Sequence, residues 1–182
     1  MRVVVAVTAA SGAIYARQCV ELLLASDAVE RIALVYSREA EAVAETEGVV
    51  MPEDDRIEVF SNDDMWASPA SGSARWDAML VVPSTMGTIA RIASGVSQSL
   101  IERSADVMLK ERRRLVIVAR EAPYSLIHLR NMTTLTEAGA VIIPASPSFY
   151  FRPDSIEALC LTISQRAVEL LGIEVSHREW GE

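Results

Sequence analysis

Short runs of apolar residues alternate along this chain with longer stretches in which apolar residues recur at helical spacing. The runs are rich in Val, Ile and Leu, as expected of strands buried on both faces of a parallel sheet. They predict strands at residues 2–7, 31–36, 78–83, 115–119 and 140–144, and a further short strand at 56–60. The longer stretches predict helices at residues 15–25, 38–47, 105–113, 124–138 and 156–171, and one after the turn at 84–88 that extends to residue 93.

Strands that alternate with helices predict a parallel sheet with right-handed crossovers, because parallel neighbours need a long connection over one face. The predicted fold is therefore α/β: a three-layer Rossmann-like (flavodoxin-like) parallel sheet with helices on both faces. No linker or repeat interrupts the pattern, so we expect one domain over residues 1–182. The tail at 173–182 lacks periodicity, and we expect it to pack at a subunit interface.

Composition narrows the classes of function. The 182 residues include 25 acidic and 17 basic ones, for a net charge of −8, whereas nucleic-acid-binding proteins usually carry a basic face. No stretch reaches the roughly 18 apolar residues that a membrane-spanning helix needs. The first apolar run leads directly into a turn and an amphipathic stretch, so we interpret it as a strand rather than a signal peptide. We expect a cytoplasmic protein that binds neither nucleic acid nor membrane.

The two cysteines, Cys19 and Cys160, both lie in apolar helical patterns. That placement is typical of buried thiols, with a redox pair or a metal site as the alternative. The chain has no CxxC and no histidine cluster, so we expect no metal.

Small or polar residues follow every main predicted strand. In an open parallel sheet, ligands bind outside the carboxyl ends of the strands. Backbone N–H groups and hydroxyls at such turns suit a phosphate, and an arginine adds a bidentate donor. A single Ser or Thr there is more often a helix cap, but the whole collection predicts a nucleotide-like ligand. Its members are residues 8–12, Ser37, residues 84–88, Arg120 with Glu121, and residues 146–150.

The turns lack the signatures of the common dinucleotide and triphosphate sites. The first turn is not GxGxxG, and Ser37 follows the second strand where an acidic partner of a ribose is expected. The chain also has no GxxxxGK[ST] motif. These absences argue against NAD and against a nucleoside triphosphatase.

Two carboxylates are candidates for acid–base chemistry, because burial and neighbouring groups can tune a carboxyl pKa. Glu121 follows a predicted strand, and Glu47 ends a predicted helix. The alternatives are a structural partner for Glu121 and a solvated helix face for Glu47. Nothing in the spacing of Lys110, Tyr150 and Arg166 unites them.

Several stretches resemble the UbiX flavin prenyltransferases. They are SGAIYA at 11–16, ASPASGS at 67–73, LIERSADVMLKERRRLVIVAREAPYSLIHLRNM at 100–132, GAVIIPASPSFYFRP at 139–153, and Trp180 with Gly181. The resemblance covers nearly the whole chain. One departure is Ala9, where members commonly have Gly.

The resemblance implies an activity that composition and spacing do not. Members join a dimethylallyl group from dimethylallyl monophosphate to N5 and C6 of reduced FMN, without a metal. The prenylated FMN serves decarboxylases of the UbiD type. Members assemble as dodecamers and share their sites between subunits.

The resemblance also implies two adjoining sites with Glu121 between them. The residues implied to bind FMN are Ala9, Ala10, Ser11, Ser37, Thr85, Met86, Gly87, Thr88 and Arg120. Those implied to bind the prenyl phosphate are Lys110, Tyr150 and Arg166, with Ala70, Ser71 and Gly72 lining the pocket, Arg103 nearby and Trp180 enclosing the allylic group. The residues implied to be catalytic are Glu121, Glu47, Ser11 and Lys110.

Two other functions remain open. A flavoprotein decarboxylase can act directly on a carboxylic acid, but those relatives use an early histidine beside the flavin, and this chain has only His128 and His177. A non-enzymatic flavin carrier has no use for a pocket that holds Lys110, Tyr150 and Arg166.

Overall fold

A computed structural model describes residues 1–176 and forms one six-stranded sheet in the order β3-β2-β1-β4-β5-β6. Every neighbouring pair of strands is parallel. The strands are β1 (Arg2–Val7), β2 (Arg31–Tyr36), β3 (Ile57–Phe60), β4 (Ala78–Ser84), β5 (Arg114–Ala119) and β6 (Val141–Pro144). The predicted parallel sheet, including its short additional strand, is confirmed.

Within residues 1–176, five α-helices lie between strands and a sixth follows β6: α1 (Ala13–Ala25), α2 (Ala40–Thr46), α3 (Met86–Ala93), α4 (Leu100–Lys110), α5 (Leu126–Glu137) and α6 (Ile156–Leu170). The prediction for α4 was wrong at both ends. The helix begins at Leu100 because Ser99 and Glu102 form a capping box, which satisfies the N–H groups of its first turn. It ends before Arg112, whose φ of 57° is incompatible with a continuing helix.

The helices cover both faces of the sheet, which confirms the predicted three layers. On one face, Leu23 of α1 and Val168 of α6 lie in a buried cluster with β1 and β4. On the other face, Ile89 of α3, Met108 of α4 and Leu135 of α5 pack in a second cluster. Burying one such side chain contributes about 1.5–3 kcal/mol. Both cysteines are buried free thiols, as predicted.

All six strands end at the same side of the sheet, here named the carboxyl edge; the opposite side is the amino edge. The loop at 61–77 runs from the carboxyl edge, after β3, to the amino edge, before β4. It follows α4 the whole way: Leu100 N–H donates to the carbonyl of Asn62 at 2.8 Å, and Arg113 donates to that of Gly72 at 2.8 Å. The later residues of this loop, around Gly72, therefore lie far from the end of β3 that precedes them in the sequence.

Within residues 1–176, no helix has the length and apolar character that crossing a membrane requires. The same residues contain no group of three or more His, Cys, Asp or Glu side chains arranged to hold a metal ion. Trp180 lies outside the described residues.

Candidate active site

The turn between β1 and α1 is built around Gly12 and Glu47. Gly12 has φ 101°, and a Cβ there would lie 2.8 Å from the Tyr15 ring, so this position requires glycine. The carboxylate of Glu47 accepts the N–H groups of Gly12 at 2.9 Å and Ala13 at 2.7 Å. It therefore caps α1 from another element, which supplies the acceptors that the first N–H groups of a helix lack. The alternative that Glu47 belongs only to a solvated helix face is wrong.

The surroundings of Glu47 lower its pKa below the ordinary value of 4.5. Burial raises the pKa, but the hydrogen bonds from the Ser11 hydroxyl and from the two N–H groups lower it further, and the Arg120 guanidinium adds to this. Glu47 is therefore a carboxylate near neutral pH, and a weak base. Its arrangement suits holding the Ser11 hydroxyl and the turn in place.

Two hydroxyls tie the first turn to its neighbours. The N–H of Ala9 donates to Oγ of Ser37, at the end of β2, over 3.1 Å. Thr8 Oγ1 donates to the carbonyl of Pro83 at 2.8 Å and accepts the N–H of Thr85 at 2.8 Å. These hydrogen bonds join the ends of β1, β2 and β4, so the backbone at residues 9–11 is held in a fixed position. Ala10 is buried within this frame.

Thr85 directly follows β4 and is the N-cap residue of α3. Its Oγ1 accepts the N–H of Thr88 at 3.2 Å and lies 3.0 Å from the Thr88 hydroxyl. Met86 and Thr88 are buried, whereas the backbone at Gly87 is exposed. A ligand can therefore approach the first turn of α3 closely at Gly87.

Arg120 and Glu121 complete the carboxyl edge, at the end of β5. The N–H of Arg120 donates to the carbonyl of Ser84 at 3.1 Å, and its side chain is close enough to Glu47 to lower the pKa of that carboxyl. Glu121 is half-buried, and its Oε1 accepts the N–H of Ala122 at 3.0 Å. The structure therefore brings both predicted carboxylates to the edge that carries the predicted FMN residues.

Clefts of about 630 Å³ and about 570 Å³ open at this edge. Ser11 and Glu47 line the first, and Ser37 with Asn62 lines the second. The Ser11 and Ser37 hydroxyls and the backbone of Gly12 lie on this concave surface, and the Arg120 guanidinium lies close to Glu47 of the first cleft. This donor set fits the phosphate and polar groups of a mononucleotide such as FMN.

The residues predicted for the prenyl phosphate do not all meet at this edge. Lys110 ends α4 near the amino edge, where its ammonium pairs with Glu111. A Cβ placed on Gly72 would lie 3.1 Å from Lys110 Nζ, and Arg103 Nε donates to the carbonyl of Ala70 at 3.0 Å. We name Ala70, Ser71, Gly72, Arg103 and Lys110 the amino-edge group: Gly72 and Lys110 lie near that edge, and Arg103, seven residues before Lys110 on α4, lies partway back toward the carboxyl edge.

Tyr150 and Arg166 lie elsewhere. Tyr150 is exposed on the loop after β6. Arg166 pairs with Glu169 at 3.3 Å on α6, the helix that covers the opposite face of the sheet from α4. The six residues of β5, or roughly 20 Å, separate Lys110 from Arg120. Within one chain, the predicted FMN residues and Lys110 therefore lie apart, because Gly72 and the end of α4 lie near the amino edge. Two adjoining sites stay a prediction for an assembly of several chains.

Sequence reasoning missed Arg91 and Glu102. Arg91 pairs with the buried carboxylate of Glu102. It also donates to Oγ1 of Thr88, in the first turn of α3, at 3.3 Å. The available signal was the S-x-x-E pattern of Ser99 and Glu102, which predicts the capping box but not the arginine.

Comparisons with known proteins identify the family. The Flavoprotein family model matches residues 1–166. Flavin prenyltransferase UbiX of Archaeoglobus fulgidus is 44% identical over 186 residues, covering 100% of each chain. The chain belongs to the UbiX flavin prenyltransferase family. This confirms the resemblance read from the sequence.

Solved structures of UbiX-like proteins share the fold. AnUbiX (PadA1), in complex with FMN and dimethylallyl pyrophosphate, is 44% identical with a TM-score of 0.89, and the match covers 98% of each chain. A dodecameric FMN-dependent UbiX-like decarboxylase from Escherichia coli O157:H7 is 34% identical with a TM-score of 0.91, covering 100% of each chain. The described residues of this chain therefore share the fold of these UbiX-like proteins.

Proposed function

We propose that this UbiX-family chain is a flavin prenyltransferase, which joins a dimethylallyl group to N5 and C6 of reduced FMN. The observation that carries the proposal is the carboxyl edge, where the predicted FMN residues and both predicted carboxylates converge. The relative that was crystallised with FMN and dimethylallyl pyrophosphate supports this pair of ligands. A metal-independent enzyme remains our expectation.

In this proposal, FMN binds along the carboxyl edge. Residues 9–11, Ser37 and residues 85–88 form the wall of this site. The N–H groups of Ala9 and Thr88 bond within the protein and hold the wall in place, the hydroxyls of Ser37 and Thr85 can donate to the ligand, and Arg120 provides a cation close to Glu47. Such donors do not reorganise when the ligand enters, so they stabilise its charge efficiently. Glu47 fixes Ser11 and the first turn, which is the part we propose for it in catalysis.

We further propose that the prenyl phosphate binds between subunits. The amino-edge group of one copy supplies Lys110 and Arg103, and a second copy supplies Tyr150 and Arg166. The positions of Lys110 and Arg166, on opposite faces of the sheet, support a shared site, as does the dodecameric relative. The tail that contains Trp180 is proposed to enclose the allylic group at the same interface.

Exposed apolar side chains support an assembly, which we propose to be a dodecamer. Leu126 and Ile127 at the start of α5 are 61% and 68% exposed, and Phe149 is 70% exposed. Large apolar surface of this kind marks interfaces more often than free surface.

The proposed donor is dimethylallyl monophosphate. The C–O bond to the phosphate breaks, the phosphate leaves with the electron pair, and the allylic carbon bonds to N5, whose proton passes to the departing phosphate. Closure through C6 moves a proton from C6 to the former alkene, so the net products are prenylated FMN and phosphate. Lys110, Arg166 and the Tyr150 hydroxyl stabilise the departing charge. Glu121, half-buried beside the flavin residues, accepts the C6 proton or relays one to the phosphate.

The decisive experiment is anaerobic incubation of the chain with reduced FMN and dimethylallyl monophosphate, followed by mass spectrometry. We expect a flavin that is heavier by one C5 unit. Unmodified FMN alone, in a preparation that binds FMN, would contradict the proposal. Release of CO₂ from a free aromatic acid without a second enzyme would favour a decarboxylase.

The product's fate is a separate proposal. We propose that prenylated FMN passes to a decarboxylase of the UbiD type and that the chain acts in the cytoplasm. Adding the reaction mixture to an apo decarboxylase of that type tests the transfer, and the expected result is the appearance of decarboxylase activity.

A further inference from the structure

Arg91 and Glu102 form an ion pair next to the first turn of α3. Arg91 lies in α3, and its Nε donates to the carboxylate of Glu102 on α4. Glu102 is only 4% exposed, and its second oxygen accepts the N–H groups of Gln98 at 2.8 Å and Ser99 at 3.1 Å. Because two backbone N–H groups fix one carboxylate oxygen of Glu102, the other oxygen holds the Arg91 guanidinium in one place.

From this place Arg91 is linked to the carboxyl edge through two hydroxyls. Its Nη2 donates to Thr88 Oγ1 at 3.3 Å, and Thr88 Oγ1 lies 3.0 Å from Thr85 Oγ1. Thr88 is 3% exposed, whereas Thr85 is half-buried. A Cβ placed on Gly87 would lie 3.3 Å from Arg91 Nη1, so the guanidinium also lies against the backbone of the turn.

The chemistry of hydroxyls gives this chain of hydrogen bonds a direction. A hydroxyl donates one hydrogen and accepts up to two. Thr88 Oγ1 accepts from a cation, and its burial leaves Thr85 Oγ1 as the acceptor for its own hydrogen. Thr85 Oγ1 then accepts both the N–H and the O–H of Thr88. The hydrogen of Thr85 is left to be donated to a ligand.

We propose that Arg91, anchored by Glu102, is a positioning residue that fixes the Thr85 hydroxyl as a hydrogen-bond donor to an acceptor oxygen of FMN. The inference rests on the proposed function, because it takes residues 85–88 as part of the FMN site. Arg91 acts through Thr88 and touches neither the flavin nor the reacting atoms.

The test is the dissociation constant for FMN, measured by flavin fluorescence, together with steady-state kinetics and thermal melting. We expect Arg91→Gln to weaken FMN binding about tenfold, as loss of a charge-assisted hydrogen bond does. KM for FMN rises, while kcat at saturating FMN stays unchanged. A purely structural role predicts lower stability without this separation of KM from kcat.

A conservative variant separates positioning from folding. Arg91→Lys keeps a cation for Glu102, but an ammonium lacks the planar fork that serves Glu102 and Thr88 together. We expect its melting temperature to match that of the unsubstituted chain while FMN binding is weakened. Arg31→Gln is the matched control: Arg31 pairs with Glu58 at 2.6 Å, and its side chain is 51% exposed against 47% for Arg91. It lies at the amino edge and should leave FMN binding unchanged.

A double-mutant cycle with Thr88→Val tests the route. In that background Arg91→Gln should have no further effect on FMN binding. Unchanged binding in both Arg91 variants, or an undiminished loss in the Thr88→Val background, would overturn the inference. Failure of the unsubstituted chain to bind FMN would instead contradict the proposed function, and the inference with it.

Discussion

The carboxylate of Glu47 accepts a hydrogen bond of 2.7 Å from the N–H of Ala13, across 34 residues of sequence. It makes a second contact of 2.9 Å with Gly12. A side chain from the end of α2 thus supplies the cap that α1 lacks locally, since Gly12 has no side chain to provide it. This relationship couples the shape of the predicted FMN turn to the charge of one carboxyl group.

Glu47→Ala should therefore lower the free energy of unfolding by about 1 kcal/mol near neutral pH, the usual cost of losing an N-terminal helix cap. Glu45→Ala is the control, because Glu45 lies on the same helix and is exposed. Chemical denaturation of the three proteins measures the difference. Equal losses for both variants would show that the contacts of Glu47 contribute nothing specific.

The same contacts predict a pH dependence. The folded chain holds the pKa of Glu47 below 4.5, so the unfolded chain binds more protons over the interval between the two pKa values. The stabilisation is fully present above the unfolded pKa and is lost as the pH falls through the folded pKa. Denaturation curves from pH 7 down to pH 3 should show the unsubstituted chain and Glu47→Ala converging at the acid end. A constant difference would contradict this.

Glu121→Gln tests the proposed proton transfer. Glutamine keeps the size of the side chain and an acceptor for the N–H of Ala122, but it cannot take up a proton. Turnover should fall about a hundredfold, as expected for loss of a general acid–base group, while FMN binds normally. Single-turnover formation of the prenylated flavin measures the rate. A variant at full rate would remove Glu121 from the mechanism.

Much of the fold was predictable because each buried strand is a run of apolar residues, and because parallel order follows from the alternation with helices. The predicted FMN residues also fell at one edge, since they directly follow strands. The amino-edge group was not predictable in this way. Gly72 follows β3 in sequence, yet its position is set by the length of the loop and by Arg113, which donates to its carbonyl. The helix cap that Glu47 provides was also not predictable, because no local sequence pattern connects Glu47 with Ala13.

Gly72→Ala should weaken the binding of the prenyl donor and leave FMN binding unchanged. The added methyl group would lie 2.5 Å from Glu111 Oε1 and 3.1 Å from Lys110 Nζ, both at the ends of flexible side chains that can move aside. The chain should fold, but the displaced ammonium should raise KM for dimethylallyl monophosphate about tenfold. FMN affinity serves as the internal control and should not change. An unaltered KM, with Lys110→Ala also near normal, would separate the amino-edge group from the reaction.

Mixing two inactive variants tests whether the site is shared between subunits. Lys110 and Arg166 cover opposite faces of one chain, so the proposed pocket takes Lys110 from one copy and Arg166 from another. Lys110→Ala and Arg166→Ala should each be nearly inactive alone. When the two are unfolded, mixed in equal amounts and refolded together, about a quarter of the pockets should receive both intact side chains, and activity should return to about that level.

The double variant Lys110→Ala/Arg166→Ala, refolded with the unsubstituted chain, controls for the refolding itself. If the two single variants regain no activity while this control does, each pocket draws Lys110 and Arg166 from the same chain.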